Sequence, residues 1–238
     1  MENPIYTSLT RQSGLLREMQ VVANNVANLS TTGFRREGLV FSEYMRQLDR
    51  QEAPLSMASA NARQTYLTQG ALTMTGGTLD LAIEGDGFFL IETPDGERLT
   101  RAGNFSTNAA GEMVTPDGFR LLDVGGAPVF VPGDATGITI SRDGTLSADG
   151  QPLGQIGLVQ PEDPSQLSRA AGVMHQTDGP LQPVTDPVLL QGYLEESNVN
   201  PISEMARMIE VQRAYEFGQK FLDREDERIR NVVQTLSR

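Results

Sequence analysis

Few residues in this chain have the chemistry of a catalyst. His175 is the only histidine and there is no cysteine, which excludes thiol nucleophiles, disulfides, CxxC knuckles and multi-histidine metal centres. Acid–base chemistry would have to come from carboxylates. Glu84 and Asp86 stand beside Phe88 and Phe89, an arrangement that could imitate the carboxylate pair of glycoside hydrolysis in an apolar cleft. Adjacent turn positions are the simpler explanation. Asp-Gly pairs at Asp95, Asp117, Asp143 and Asp149 raise calcium binding, but they lack the dense alternating Asp and Asn of a calcium loop. Asp-Gly is instead the sequence of tight hairpin turns. The reading is no catalytic residue, no cofactor-binding residue and no metal ligand.

The bulk properties narrow the partners. A formal net charge of -12 over 238 residues repels phosphate backbones and anionic lipid, so nucleic acid is excluded as a partner. The opening Met1-Glu2-Asn3-Pro4 has neither a basic nor an apolar signal region, and no stretch approaches the roughly 18 apolar residues of a membrane span. For the ordinary secretory route this predicts a cytoplasmic protein, although a dedicated export apparatus can read an uncleaved N-terminus. A carbohydrate-binding or adhesive β-module would need an aromatic platform, and there is no Trp.

The elements that hold these residues fall into an α+β pattern. Asn3-Pro4 is a helix entry. Ile5, Leu9, Leu16, Met19, Val22, Val26 and Leu29 then recur mostly at spacings of three and four, a stripe as narrow as a coiled-coil seam. Ser30 to Gly33 has the composition of a helix C-terminus, with Phe34 as an apolar follower. A further amphipathic stretch is predicted through Phe41, Tyr44 and Leu48, closing an N-terminal helical segment over 1–48. Residues 49–76 read as a linker or extended crossing. From there to 191, short apolar runs such as Leu79–Ile83, Phe88–Ile91 and Ile138–Ile140, punctuated by the Asp-Gly pairs, predict antiparallel hairpins in a sandwich or open barrel.

Helix resumes over 192–238, capped at Ser197 or Asn200 before Pro201. Ile202, Met205, Ile209, Leu222, Ile229, Val233 and Leu236 form a second narrow stripe, broken by Gln212, Gln219 and Asp226. Tyr215, Phe217, Phe221 and Val232 lie off that seam. A helix of about 35 residues spans roughly 50 Å, more than the β-domain can cover. The N-terminal helix is the first expected partner, in a coiled-coil core, and surface remains for neighbouring subunits. Periodicity leaves two outcomes open, a closed bundle within the chain and a head-to-tail filament.

Five segments in order resemble the rod and hook proteins of the bacterial flagellar basal body: Ala23-Asn-Asn-Val-Ala-Asn-Leu-Ser-Thr-Thr-Gly-Phe34, Leu79 to Phe89, Thr100 to Phe105, Gly192 to Asn200, and Met208 to Glu216. The short middle is most similar to the proximal rod type, with the distal rod type the near alternative. The resemblance implies a non-enzymatic subunit of the rod that transmits torque across the periplasm, with its terminal helices facing the axis of a tube and a β-rich domain outside. It also implies copies of itself and other rod proteins as partners, and delivery by the flagellar type III export apparatus without a cleaved signal, which revises the cytoplasmic expectation. Against that background, the amides of Asn24, Asn25 and Asn28 are candidates to set register between subunits, Ala23 and Ala27 permitting close approach. The alternative is that they fray the helix end. Gly33 is expected to need left-handed angles, Phe34 to anchor the turning chain, and Asn198 to belong to the same packing set.

Overall fold

The computed structural model describes the backbone of residues 3–46, 55–135 and 137–236. Two compact units emerge. The helical unit combines residues 1–27, 37–64 and 200–238; the β unit combines 28–36 and 65–199. The fold is α+β.

In the helical unit, α1 runs Asn3–Ala27. The chain returns in β1 (Glu37–Arg46) and β2 (Leu55–Thr65), which pair as a two-stranded sheet. This corrects the predicted helix through Phe41 and Tyr44. Leu39, Val40, Phe41 and Tyr44 are residues that suit a pleated surface, and a long-range partner decides between strand and helix. Leu48 lies outside the described residues. The other helix, α2, is one continuous element from Pro201 to Leu236, as the second stripe predicts. Asn200 caps it, its Oδ1 accepting from the Ile202 and Ser203 amides at 3.0 and 3.1 Å, with Pro201 at the first position, where a missing N–H costs nothing. Glu225 with Arg228 and Asp226 with Arg230 form the expected pairs on its surface.

Among the described residues the β unit is antiparallel throughout, with a nine-stranded sheet, a three-stranded sheet over 138–155 and two short ribbons. Its elements include β3 (Leu72–Met74), β4 (Leu81–Glu84), β5 (Phe88–Thr93) and β6 (Gly96–Thr100). The apolar run of β5 is buried on both faces. Phe89 and Ile91 enter the main core with Leu81, Ile83, Met113 and Leu121, while Phe88 and Leu90 enter a second cluster with Leu99 and Leu122, the period-two alternation of a strand. The Asp-Gly pairs at Asp95, Asp117, Asp143 and Asp149 each place glycine at positive φ. Glu84 and Asp86 are both exposed: Glu84 ends β4, and Asp86 sits in the bend that follows it, between Gly85 and Gly87, both also at positive φ. Among the described residues there is no cluster able to hold a metal ion.

His175 is fully buried, 5.9 Å from the Phe88 ring, and neither ring nitrogen has a hydrogen-bond partner among the described residues. Burial pushes its pKa down to about 3, and the Arg169 and Arg35 cations push the same way. The histidine is therefore neutral in the folded protein. As pH falls below about 6.5, the unfolded chain takes up a proton that the folded chain refuses, so stability drops by roughly 1.4 kcal/mol per pH unit towards pH 3. Chemical denaturation at pH 7.5 and 4.5 should show this loss, and His175→Leu should lower the difference by roughly 2 to 3 kcal/mol. An unchanged difference would contradict the assignment.

Candidate assembly surface

The helical unit is built around a seam that is more polar than its sequence stripes suggest. Gln12 Nε2 donates to the Tyr215 carbonyl at 3.0 Å. Glu18 accepts from Arg207 Nε at 2.6 Å, and Arg207 also pairs with Glu210. Asn25 Nδ2 donates to Glu204 Oε2 at 3.1 Å. Partners rise along α1 as they fall along α2, so the helices run antiparallel. Gln12, Glu18, Asn25 and Glu204 are buried beside Val21, Val22 and Val211.

Asn25 is the best satisfied of these groups. Its Oδ1 accepts from the Glu37 amide at 3.0 Å while its Nδ2 donates to the Glu37 carbonyl at 2.9 Å. The carboxamide thus reads one residue's backbone as a neighbouring strand would, and the bond to Glu204 ties the start of α2 to the same point. All these bonds lie within one chain. Asn24 and Asn28 are half-buried, and Asn28 accepts from the Thr31 hydroxyl at 3.0 Å.

The predicted stripe residues face outward in large part. Leu9 is 50% exposed, Met205 59% and Val233 59%, with Leu16, Ile209 and Ile229 close behind. Met19, Val26, Leu29, Tyr215 and Leu222 are half-buried, and Val22 is buried. Gln212 is exposed and bonds Glu216 one turn along; the side chain of Leu236 lies outside the described residues. Of the polar groups in the seam, Asn25 was singled out in the sequence, whereas Gln12, Glu18 and Glu204 were missed. Their signal is a step of seven: Glu204, Val211 and Gly218 on α2, and Glu18 and Asn25 on α1.

Length adds further uncovered surface. With 25 and 36 residues, the helices are about 37 and 54 Å long. The register of the three contacts places Asn3 opposite about residue 224, so the last three turns of α2 run beyond α1. No helix among the described residues is long and apolar enough to cross a membrane.

The other signature residues act inside the β unit. Gly33 has φ +68°, and a Cβ there would meet the Ala102 amide nitrogen at 2.3 Å. Its left-handed geometry is as predicted, but α1 has already ended at Ala27; the need for glycine comes from backbone approach rather than from helix capping. Gly33 N–H donates to the Glu195 carbonyl at 2.8 Å. Phe34 is buried beneath the Arg169 guanidinium, 4.2 Å from its ring centre. Next to it, Arg35 and Arg101 converge on the Glu195 carboxylate at 2.8 and 3.3 Å, all three almost fully buried. Burial pushes both guanidinium pKa values down and Glu195 pushes back; both remain cationic at neutral pH. Asn198 accepts from the Arg36 amide at 2.6 Å and donates to the Tyr66 and Thr68 carbonyls. Glu195 and Asn198 therefore lock together the segments by which the chain enters and leaves this unit.

Comparison with known proteins accounts for this division. Residues 5–35 match the description "Flagella basal body rod protein", 82–148 "Flagellar hook protein FlgE/F/G D1 domain", and 190–235 "Flagellar basal body rod FlgEFG protein C-terminal". The chain is 39% identical to the flagellar basal-body rod protein FlgF of Caulobacter vibrioides, over all of this chain and 99% of the relative. It is 37% identical to FlgF of Mesorhizobium japonicum over 91% of this chain and 90% of the relative. It is 31% identical to FlgG of Bacillus subtilis over 98% of each. A helix pair with a polar seam and much of its apolar stripe exposed, joined to a β unit and similar along its whole length to rod proteins, is a structural subunit: the chain belongs to the flagellar basal-body rod protein family.

Proposed function

We propose that this chain is a proximal rod subunit of the FlgF type, built into the tubular shaft that carries torque across the periplasm, with the distal FlgG type as the second reading. Full-length relatives named FlgF at 33 to 39% identity support the first choice. The observation that carries the reading is the outward apolar face of α1 and α2. Leu9, Leu16, Met205, Ile209, Ile229 and Val233 remain exposed in the single chain, and neighbouring helices would bury them in coiled-coil-like seams. Its partners are copies of itself and adjoining rod proteins, and the flagellar type III export apparatus delivers it without a cleaved signal. Asn25 uses its carboxamide within the chain, on Glu37 and Glu204, so it orders the subunit itself and the contact with neighbours falls to the exposed apolar face.

Ile229→Asp combined with Val233→Asp tests this. Both positions are exposed, so monomer stability should change by about 0.5 kcal/mol or less, while swimming is lost and isolated basal bodies lack complete rods. Normal swimming by that variant would overturn the proposal.

A further inference from the structure

The two helices enclose a groove of about 220 Å³ walled by Leu15, Phe217 and Phe221, with Gln12 and Gly218 at its base and Arg11 on its rim. Glycine in mid-helix ordinarily costs about 1 kcal/mol against alanine. Here a Cβ at 218 would stand 2.3 Å from Gln12 Nε2, so glycine leaves room for the bond of that amide to the Tyr215 carbonyl. No described residue fills the groove. Phe217 is 74% exposed, and Gln12 Oε1 is buried with no partner among the described residues.

A complementary surface exists elsewhere on the same molecule. Beyond the reach of α1, Ile229, Val232 and Val233 share one face of α2 at spacings of three and four and are exposed. Glu225–Arg228 and Asp226–Arg230 pairs flank them, so covering the apolar face buries no lone charge. Asp226 sits at the edge of that face, and Arg11 makes no ion pair among the described residues. Because α2 is one continuous helix, this face lies roughly 20 Å along the axis from Phe217, and a chain cannot fill its own groove.

We propose that the groove receives the overhanging end of α2 from a second copy of this chain, Ile229, Val232 and Val233 packing between Phe217 and Phe221 with Asp226 facing Arg11. This rests on the rod-subunit reading and gives it a specific contact. The groove and the overhang are different surfaces, so the contact is head-to-tail and repeats without closing on a pair.

The chain has no cysteine, so engineered thiols report without background. In cells carrying the Phe217→Cys, Val232→Cys double variant in place of the native chain, oxidation of isolated basal bodies should give disulfide-linked dimers and longer ladders. Either single variant should give none, because 217 meets 232 rather than itself. A disulfide needs Cβ atoms about 4 Å apart, which rules out linkage within one helix. Swimming cells whose basal bodies contain the double variant but no linked species would overturn this contact and leave the rod assignment standing. Absence of the native chain from purified rods would instead remove the assignment itself. If the double variant builds no rods, Phe217→Ala and Val232→Phe decide the matter. Each alone should impair swimming, and the two in one chain should restore it as the larger residue fills the vacated wall; no restoration overturns the contact.

Discussion

Glu195→Leu is expected to destabilise the β unit by about 3 to 5 kcal/mol and to lower its melting temperature by roughly 10 °C. The substitution keeps an apolar side chain of similar length but leaves Arg35 and Arg101 buried without their carboxylate, and it removes the acceptor of the Gly70 amide at 2.9 Å. Loss of the attraction is the smaller part of that effect; stranding two cations away from water is the larger. The triple variant Arg35→Met, Glu195→Leu, Arg101→Met should therefore recover at least half of the loss, since no charge is stranded. Thermal unfolding of the single and triple variants checks both statements. A neutral Glu195→Leu would show that the guanidiniums are adequately solvated without it.

The second large effect is expected at Asn25, and it has a pH signature. Asn25→Asp changes one group, yet it deletes the donor to the Glu37 carbonyl and to Glu204 and sets two carboxylates about 3 Å apart in a buried site. One of the pair must bind a proton, so its pKa rises above the ordinary carboxylate range. At neutral pH the variant should lose about 2 to 4 kcal/mol from the helical unit. Because the folded pair holds its proton more tightly than the unfolded chain, the deficit should shrink as pH falls through that raised pKa, where the protonated Asp again donates. Hydrogen exchange of α1 amides at pH 7.5 and 5.5 reads this directly, and Glu204→Gln in the same chain should abolish the pH dependence. Equal protection in variant and native protein at pH 7.5 would sink the account.

These two sites also mark the boundary of what sequence alone reveals. Local rules located α2 from Asn200-Pro201, β5 from its apolar run, and the turns from Asp-Gly, because in each case neighbours in sequence decide the outcome. The left-handed angle at Gly33 was legible for the same reason, but its cause was not, since the clash is with Ala102 about seventy residues away. Residues 37–46 have spacings compatible with a helix and become a strand through pairing with β2. The periodicity led to the expectation that the stripe on each helix lines the seam between them, whereas most of the described stripe residues are exposed. Which face turns inward depends on Glu18 meeting Arg207 and Asn25 meeting Glu37 and Glu204, and a hydrophobicity pattern assigns those polar residues to solvent. Arg35, Arg101 and Glu195 come from three distant segments, and nothing local distinguishes them from surface charges.

The segmental composition of the helical unit has a consequence for the order of events. Nearly all of the β unit is a single run, 65–199, whereas the helical unit waits for residues 200–238, which follow that run in a chain made N-terminus first. The β unit can thus become native while α1 has no α2 to pair with, and the helix pair closes only after it. Folding of this kind keeps the contacts between the ends of the chain for last, after the shorter-range β pairings have formed.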